Sequence, residues 1–292
     1  MDASDLRVFE AVARLGSMSK ASEELCTVQS NVTARIRKLE EEVGAPLLHR
    51  THRGVTLTSV GKRLFPYCTR VEQLLDDALR ATIDDGTPRG RLMIGSLETT
   101  AAMRLSPVLA TFGINHPSVD LTLRTDTTDA LIGRVLDGEL DGAFICGPAD
   151  HPELDEQHCF EEDLVLLTDI NTASPEVAFA RTPIKLIVLN TGCSYRKKLE
   201  HILSKHGHID LQVLEFGTLE SIFSCVAAGL GITLMPERLL GYMPTNHPLS
   251  RHDLPRDETR VATVFIRRKD SYASSAERAF VAQALAYWAE TQ

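Results

Sequence analysis

The sequence has little of what would place it in a membrane or in an oxidising compartment. Nowhere in its 292 residues do eighteen apolar residues run together, so no bilayer span is expected. The opening Met1-Asp2-Ala3-Ser4-Asp5 offers neither the basic patch nor the apolar stretch of a secretory signal, and a cytoplasmic chain is the default expectation. The six cysteines (Cys26, Cys68, Cys146, Cys159, Cys193, Cys225) form no CxxC pair, which excludes a small disulfide-framed domain and leaves most of them as buried thiols. Catalytic spacings such as GxSxG, HExxH or a P-loop are missing too. A basic excess is also lacking: 31 Lys and Arg face 40 Asp and Glu, a net charge of −9, which by itself argues against contact with phosphates.

That total conceals a split. Residues 1–63 hold ten basic against eight acidic side chains, a net of +2, whereas the remaining 229 carry −11. Between Arg35 and Arg63 seven basic residues meet only Glu40, Glu41 and Glu42, so any nucleic-acid surface belongs there. In this head the apolar spacing Leu6, Phe9, Val12, Ala13, Leu15 predicts an amphipathic helix ended by Gly16-Ser17. A short second helix capped by Ser19 follows, and a third runs from about Val28 to Val43 and is closed by Gly44. Residues 47–58 place β-type residues on both sides of a basic turn containing Gly54, the pattern of a hairpin or wing.

At about 100° per residue, Val32, Ile36, Leu39 and Val43 share one buried arc of the third helix. The opposite arc holds Ser30, Thr33, Ala34 and Arg37, flanked by Asn31 and Arg35, with Gln29 at the N-terminal end. Short polar groups and guanidinium on one helix face can enter a major groove and read base edges. A helix face with this composition is ordinarily just solvated; the preceding helix and turn and the basic wing that follows tip the reading toward DNA.

From Ser59 to about Asp85 one helical stripe carries Leu64, Cys68, Val71, Leu75 and Leu79, with Pro66 expected to kink or restart it. Such a helix needs a partner, and a second copy of the chain is the simplest one. The turn-rich 84–90 marks a boundary. Beyond it strands at 91–95, 120–125 and 142–146 alternate with helices at 99–115 and 129–137, a βαβαβ run that predicts a parallel sheet. A second series follows, with strands near 164–167, 184–189, 212–215, 231–234 and 261–266 and helices near 195–206, 219–228 and 274–288. Two such lobes imply a cleft at the carboxyl ends of the strands.

Residues 6–61 resemble the LysR-type transcriptional regulators. The resemblance is carried by Leu6-x-x-Phe9-x-x-Val12-Ala13, Gly16-Ser17-x-Ser19-x-Ala21, Leu25, the run Gln29 to Arg37, Leu39-Glu40, Gly44, Pro46-Leu47-Leu48, Arg50, Arg53-Gly54 and Leu57-Thr58-x-x-Gly61. Val28, Ser30 and Lys20 depart from the usual pattern, which bears on base preference and leaves the helical pattern intact. The resemblance implies an α/β protein with a winged helix-turn-helix over 1–58, a linker helix and hinge over 59–88, and a two-lobed effector-binding domain, similar to periplasmic binding proteins, over 89–292. Its first lobe would cover 89–163 and 267–292, its second 164–266.

The same resemblance makes Gln29, Ser30, Asn31, Thr33, Arg35 and Arg37 the candidates for DNA bases and Arg50 and Arg53 those for phosphates. It further implies promoter double-stranded DNA, a small-molecule effector and further copies of the chain as partners. The copies would form a homodimer through the linker helix and a homotetramer overall. It admits RNA polymerase as well, and it implies no cofactor, metal, catalytic residue or membrane. Effector contacts carried over this way are Ser96, Glu98, Thr99, Thr100, Thr128, Cys146, Thr191, Cys193, Ser194, Arg196, Phe216 and Thr218. Hydroxyls and amides at strand ends suit a small anion, whereas Glu98 would repel one unless Arg196 compensates, and the ligand could equally carry an amino group.

Cys193 occupies the position of the reactive thiol in peroxide-sensing members of the family, with Arg196 and a helix start nearby to lower its pKa, so redox sensing is an alternative. No resolving Cys follows closely, Cys225 being the next one. An enzyme with Cys193 as nucleophile, or a plain solute-binding protein, are further alternatives; neither accounts for the head. Gly229 to Ile232 lacks the Lys-Ser/Thr of a phosphate loop, and His201, His206 and His208 lack a carboxylate or Cys at ligand spacing.

Overall fold

The structure, a computed structural model, describes residues 1–51, 54–189, 192–242 and 248–291. It divides into two compact units, Met1–Asp85 and Gly86–Gln292.

In the first unit α1 (Ala3–Leu15) is capped by Asp2, whose carboxylate accepts from the Asp5 amide, and ends at Gly16 with φ of 61°. Helix α2 (Met18–Glu24) is capped by Ser17 rather than Ser19. Gly16 turns the chain so sharply that the first extended residue is Ser17, which leaves Ser19 inside the first turn. Helix α3 (Gln29–Val43) ends at Gly44 with φ of 74°. Its arc buries Val32, Ile36 and Leu39 completely against Phe9, Val12, Ala21 and Leu47, while Val43 at the far end is exposed. The wing is β1 (Leu48–Thr51) paired antiparallel with β2 (Gly54–Leu57). Thr58 caps the long α4 (Ser59–Ile83) through the Gly61 amide and donates its own hydroxyl to the Pro46 carbonyl, locking the wing to the helix.

Two expectations for α4 change. The helix continues through Pro66 without restarting. Its apolar stripe also divides: Cys68 is buried in the head's own core, with Leu64 and Val71 packed beside it, whereas Leu75 and Leu79 are 50% and 61% exposed.

The second unit opens with β3 (Gly90–Ser96), then a continuous helical stretch made of α5 (Glu98–Thr100), a π-helical turn (Ala101–Leu105) and α6 (Ser106–Asn115). Strand β4 (Val119–Thr125), α7 (Thr128–Leu136) and β5 (Gly142–Cys146) follow. β3 pairs in parallel with both β4 and β5, as the βαβαβ pattern predicts. The chain then runs through β6 (Leu154–Asp169), α8 (Pro175–Phe179), β7 (Ile184–Leu189), α9 (Ser194–Lys205), β8 (Leu211–Phe216), α10 (Leu219–Ala227) and β9 (Thr233–Pro236). A 3-10 turn (Glu237–Tyr242), β10 (Leu249–His252), α11 (Arg256–Thr259), β11 (Arg260–Arg268) and α12 (Ser275–Glu290) complete it.

Strand β6 belongs to both lobes. Its first part pairs with β11 as far as Asp163, and from Leu164 it pairs with β9 and then β10. The sequence foreshadows only the second part, because Asp155, Glu156, Gln157 and His158 are exposed and are set in a strand by their pairing with β11. The return passage comes earlier than the expected 266/267: β11 lies from Arg260 onward against β5 and the first part of β6, in the first lobe. Within that lobe Trp288 of α12 packs edge-on to Phe144 and Phe160, at 5.2 and 4.9 Å between ring centres, and its indole Nε1 donates to the Arg104 carbonyl. The second lobe pairs β7 with β8 in parallel and buries Val165, Leu167, Ile187 and Phe223.

Glu277 of α12 is buried beside Arg267, 2.8 Å away. Burial pushes its carboxyl up to about 7 from the ordinary 4.5. An unfolded chain loses this proton near pH 4.5 and the folded one near pH 7, so stability falls as pH rises through that window. The expected result is a smaller fall between pH 4.5 and 7.5 for Glu277→Gln than for the parent in urea unfolding; equal falls would show that Glu277 titrates normally.

Candidate functional site

In the head, the N-terminal turn of α3 is the exposed part of a helix otherwise anchored by its buried arc. Gln29, Ser30, Asn31 and Arg37 are exposed and Thr33 half-exposed. Local contacts order them: the Ser19 hydroxyl donates to the Gln29 side-chain carbonyl, the Asn31 amide to the Thr27 hydroxyl, and the Thr33 hydroxyl to the Gln29 backbone carbonyl. The Arg37 side chain has no hydrogen bond or ion pair among the described residues, and its guanidinium is available.

Arg35 departs from the base-reading group. Its Nη1 lies 3.0 Å from the carboxylate of Asp5, which is completely buried and also takes Lys38 Nζ at 2.9 Å. Two cations from α3 thus hold one carboxylate of α1, fixing the angle between these helices. Sequence reasoning passed over Asp5, because a polar residue one step before the apolar Leu6 reads as part of the solvated face. In the wing, Arg50 leans on Glu40 at 3.5 Å, and the same carboxylate accepts from the Leu47 and Leu48 amides. Arg53 lies outside the described residues.

In the second unit a cavity of about 140 Å³ opens between the carboxyl ends of β3, β4 and β7 and the start of α9. Of the twelve expected effector contacts, Glu98, Thr99, Cys193 and Ser194 line it, and Tyr195 lines it beside them. The Thr99 hydroxyl is 3.2 Å from that of Tyr195, both buried, and the Ser194 hydroxyl donates to Thr128 at 2.9 Å. Thr125, Asp126 and Leu189 line the cavity too; they are the last residues of strands or follow one, a step or two before the strand-end loops that the sequence points to.

The other expected contacts are not among its lining residues, although Thr128 and Cys146 both stand against the Ser194 hydroxyl. Ser96 is buried and donates to the Leu97 carbonyl. Thr100 is buried, and its hydroxyl has no hydrogen-bond partner among the described residues. Cys146 is half-buried and packs against the interior cluster, Phe216 packs into the second lobe, and Thr218 is an exposed cap of α10. Arg196 is held by Glu200 at 2.8 Å and Glu215 at 3.3 Å, so it does not compensate Glu98. Thr191 lies outside the described residues.

The redox alternative needs a thiol that ionises readily. Instead, burial pushes the Cys193 thiol up, outweighing the amides of Arg196 and Tyr195 that favour the thiolate, and burial pushes Cys146 up to about 11. Both directions also disfavour a cysteine nucleophile.

Comparison with known proteins agrees with this division. Residues 3–62 match the family described as bacterial regulatory helix-turn-helix protein, lysR family, and residues 85–289 match the LysR substrate binding domain. The chain is 41% identical over 281 residues to the HTH-type transcriptional regulator CzcR of Bacillus anthracis, covering 96% of each chain. It is 40% identical over 279 residues to the HTH-type transcriptional regulator GltR of Bacillus subtilis (strain 168), covering 94% of this chain and 93% of that one. In fold it resembles a full-length OxyR variant from Pseudomonas aeruginosa, with a TM-score of 0.70 at 19% identity over 98% and 94% of the two chains. It also resembles full-length CbnR complexed with its target DNA, with a TM-score of 0.67 at 19% identity over the whole of both.

Proposed function

The chain belongs to the LysR family of transcriptional regulators, and from that premise we propose how its own residues divide the work. The head inserts the N-terminal turn of α3 into the major groove, where Gln29, Ser30, Asn31, Thr33 and Arg37 meet base edges while Arg50 and Arg53 meet phosphates. Arg35 acts as a positioning residue that holds α3 on Asp5. The observation that carries this reading is the contrast between three neighbouring cations: Arg35 and Lys38 are committed to Asp5, whereas Arg37, between them, is exposed and without a partner among the described residues.

Paired α4 helices join two heads, and two such dimers form the tetramer that places heads on neighbouring promoter sites. A small molecule in the cavity beside Glu98, Thr99 and Ser194 shifts the balance between DNA contacts, and RNA polymerase is the further partner at the promoter. Cys193, the cysteine that lines the cavity, has its thiol pushed up by burial, which favours a binding role for the cavity over a thiolate-based one. Among the described residues no helix is long and apolar enough to cross a membrane, which fits a regulator working in the cytoplasm.

An arginine that reads a guanine contributes about 1–3 kcal/mol of discrimination. Arg37→Ala should therefore weaken binding to the promoter sequence by about tenfold to a hundredfold and leave binding to random DNA within about threefold. Mobility-shift titrations on both DNAs decide it; equal losses on the two would remove Arg37 from the base-reading group.

A further inference from the structure

The cavity in the second unit has a charge pattern that selects its ligand, given that it is the effector site. We propose that the effector is a small zwitterion of the α-amino-acid type, with its carboxylate at the start of α9 and its ammonium group at Glu98.

The charged side chains lining the cavity are Glu98 and Asp126, both acidic, and among the described residues no Lys or Arg lines it. Asp126 is satisfied within the fold: one oxygen accepts from the Thr127 amide and the other lies 3.2 Å from Arg134. Two cations in the first turn of α9 are committed as well, Arg196 to Glu200 and Glu215, and Lys197 to Asp129 at 2.7 Å. Glu98 is exposed at the mouth, and its side chain has no partner among the described residues. A ligand with only a carboxylate would meet this charge uncompensated, whereas an ammonium group would neutralise it.

Deeper in the cavity the polarity reverses. Helix α9, twelve residues long, begins there with Cys193 at its cap, whose side chain makes no capping hydrogen bond. Its first internal hydrogen bond runs from the Lys197 amide to the Cys193 carbonyl, which leaves the amides of Ser194, Tyr195 and Arg196 without a backbone acceptor among the described residues. The Tyr195 and Arg196 amides face the protonated Cys193 sulfur, a weak acceptor, and a helix start whose amides are held no more strongly than this attracts a carboxylate. Thr99 and Tyr195, 1% and 5% exposed, also face the cavity, and their hydroxyls share a single hydrogen bond. One of the two protons is therefore spare and can be donated to the ligand. An amine alone would leave these donors unfilled and a carboxylate alone would oppose Glu98; a zwitterion answers both ends, and the volume admits a small one.

The test follows thermal melting of the full chain with each proteinogenic L-α-amino acid, the corresponding 2-hydroxy acids, which lack the α-nitrogen, and the corresponding decarboxylated amines. At least one amino acid should raise the melting temperature while its hydroxy acid and amine do not. Glu98→Gln, at an exposed position, should raise the Kd for that amino acid about tenfold or more. The inference is overturned if a hydroxy acid binds as tightly as its amino acid, if Glu98→Gln leaves the Kd unchanged, or if no amino acid shifts the melt. The underlying effector-site reading fails separately, if Thr99→Val leaves every observed ligand bound as before.

Discussion

Replacing Leu75 and Leu79 of α4 by Asp is expected to yield a folded monomer that binds its promoter DNA about a hundredfold or more weaker than the parent. The reason lies in how the apolar stripe of α4 is divided. Its first half is part of the head: Cys68 is buried against the same core as Phe9 and Leu39, with Leu64, Phe65 and Val71 packed beside it. Its second half presents Leu74, Leu75, Leu79 and Ile83 at 50% to 61% exposure, on a helix whose other positions there are mostly charged or polar. Leu75, Leu79 and Ile83 follow one another at four-residue steps and so form a row along one face. A row of that kind is what an antiparallel or parallel helix partner covers.

A head carrying only a slight positive charge gains little affinity from bulk electrostatics, so two linked heads supply what one lacks, an avidity effect worth about a hundredfold to ten-thousandfold. Sedimentation equilibrium and mobility shifts on the variant check both parts. A variant that sediments as the parent does would show that the exposed half of α4 is not the joint, and a monomer that binds DNA undiminished would show that linkage contributes no affinity.

Much of the head was legible because each element there is fixed locally. The buried arc of α3 follows from apolar spacing, Gly16 and Gly44 take the positive φ their positions require, and Thr58 and Gly61 close the wing onto α4. What escaped reading depends on partners far away in sequence. Arg35 reads as a DNA contact until Asp5, thirty residues earlier, is seen to hold it. Ser17 and Ser19 are equivalent caps in sequence, and only the turn at Gly16 chooses between them.

In the second unit the parallel β3, β4 and β5 and the strand-end location of the cavity follow from the alternation of strands and helices. The first part of β6 does not, because its charged residues carry no periodic signal and are ordered by β11, far later in the chain. Arg196 shows the same limit at the cavity: it sits beside lining residues in sequence, and two glutamates take it away.

The second large effect is expected at a buried ion pair that the sequence conceals entirely. Arg104 falls in the π turn between α5 and α6, where the shifted helix phase carries its guanidinium inward over the ring of Phe160, 4.3 Å from the ring centre, and to 3.2 Å from Glu162. Both residues are only 5% exposed, and one nitrogen of Arg104 and one oxygen of Glu162 find no hydrogen-bond partner among the described residues.

Burial pushes the Glu162 carboxyl up, against the pull of Arg104, so the pair is only partly compensated for leaving water. Removing the cation alone by Arg104→Met leaves that carboxyl buried without its counter-charge, which costs about 3–5 kcal/mol. Protonation of Glu162 relieves part of this, so the loss should be larger at pH 8 than at pH 5. Removing both charges in Arg104→Met with Glu162→Met should recover most of the stability, since two apolar side chains of similar volume fill the same space without a desolvation cost. Urea unfolding of the parent, the single and the double variant at the two pH values gives the answer. A double variant no more stable than the single one would mean that the pair stabilises the fold through its own hydrogen bond and the contact of Arg104 with the Phe160 ring rather than through balance of buried charge.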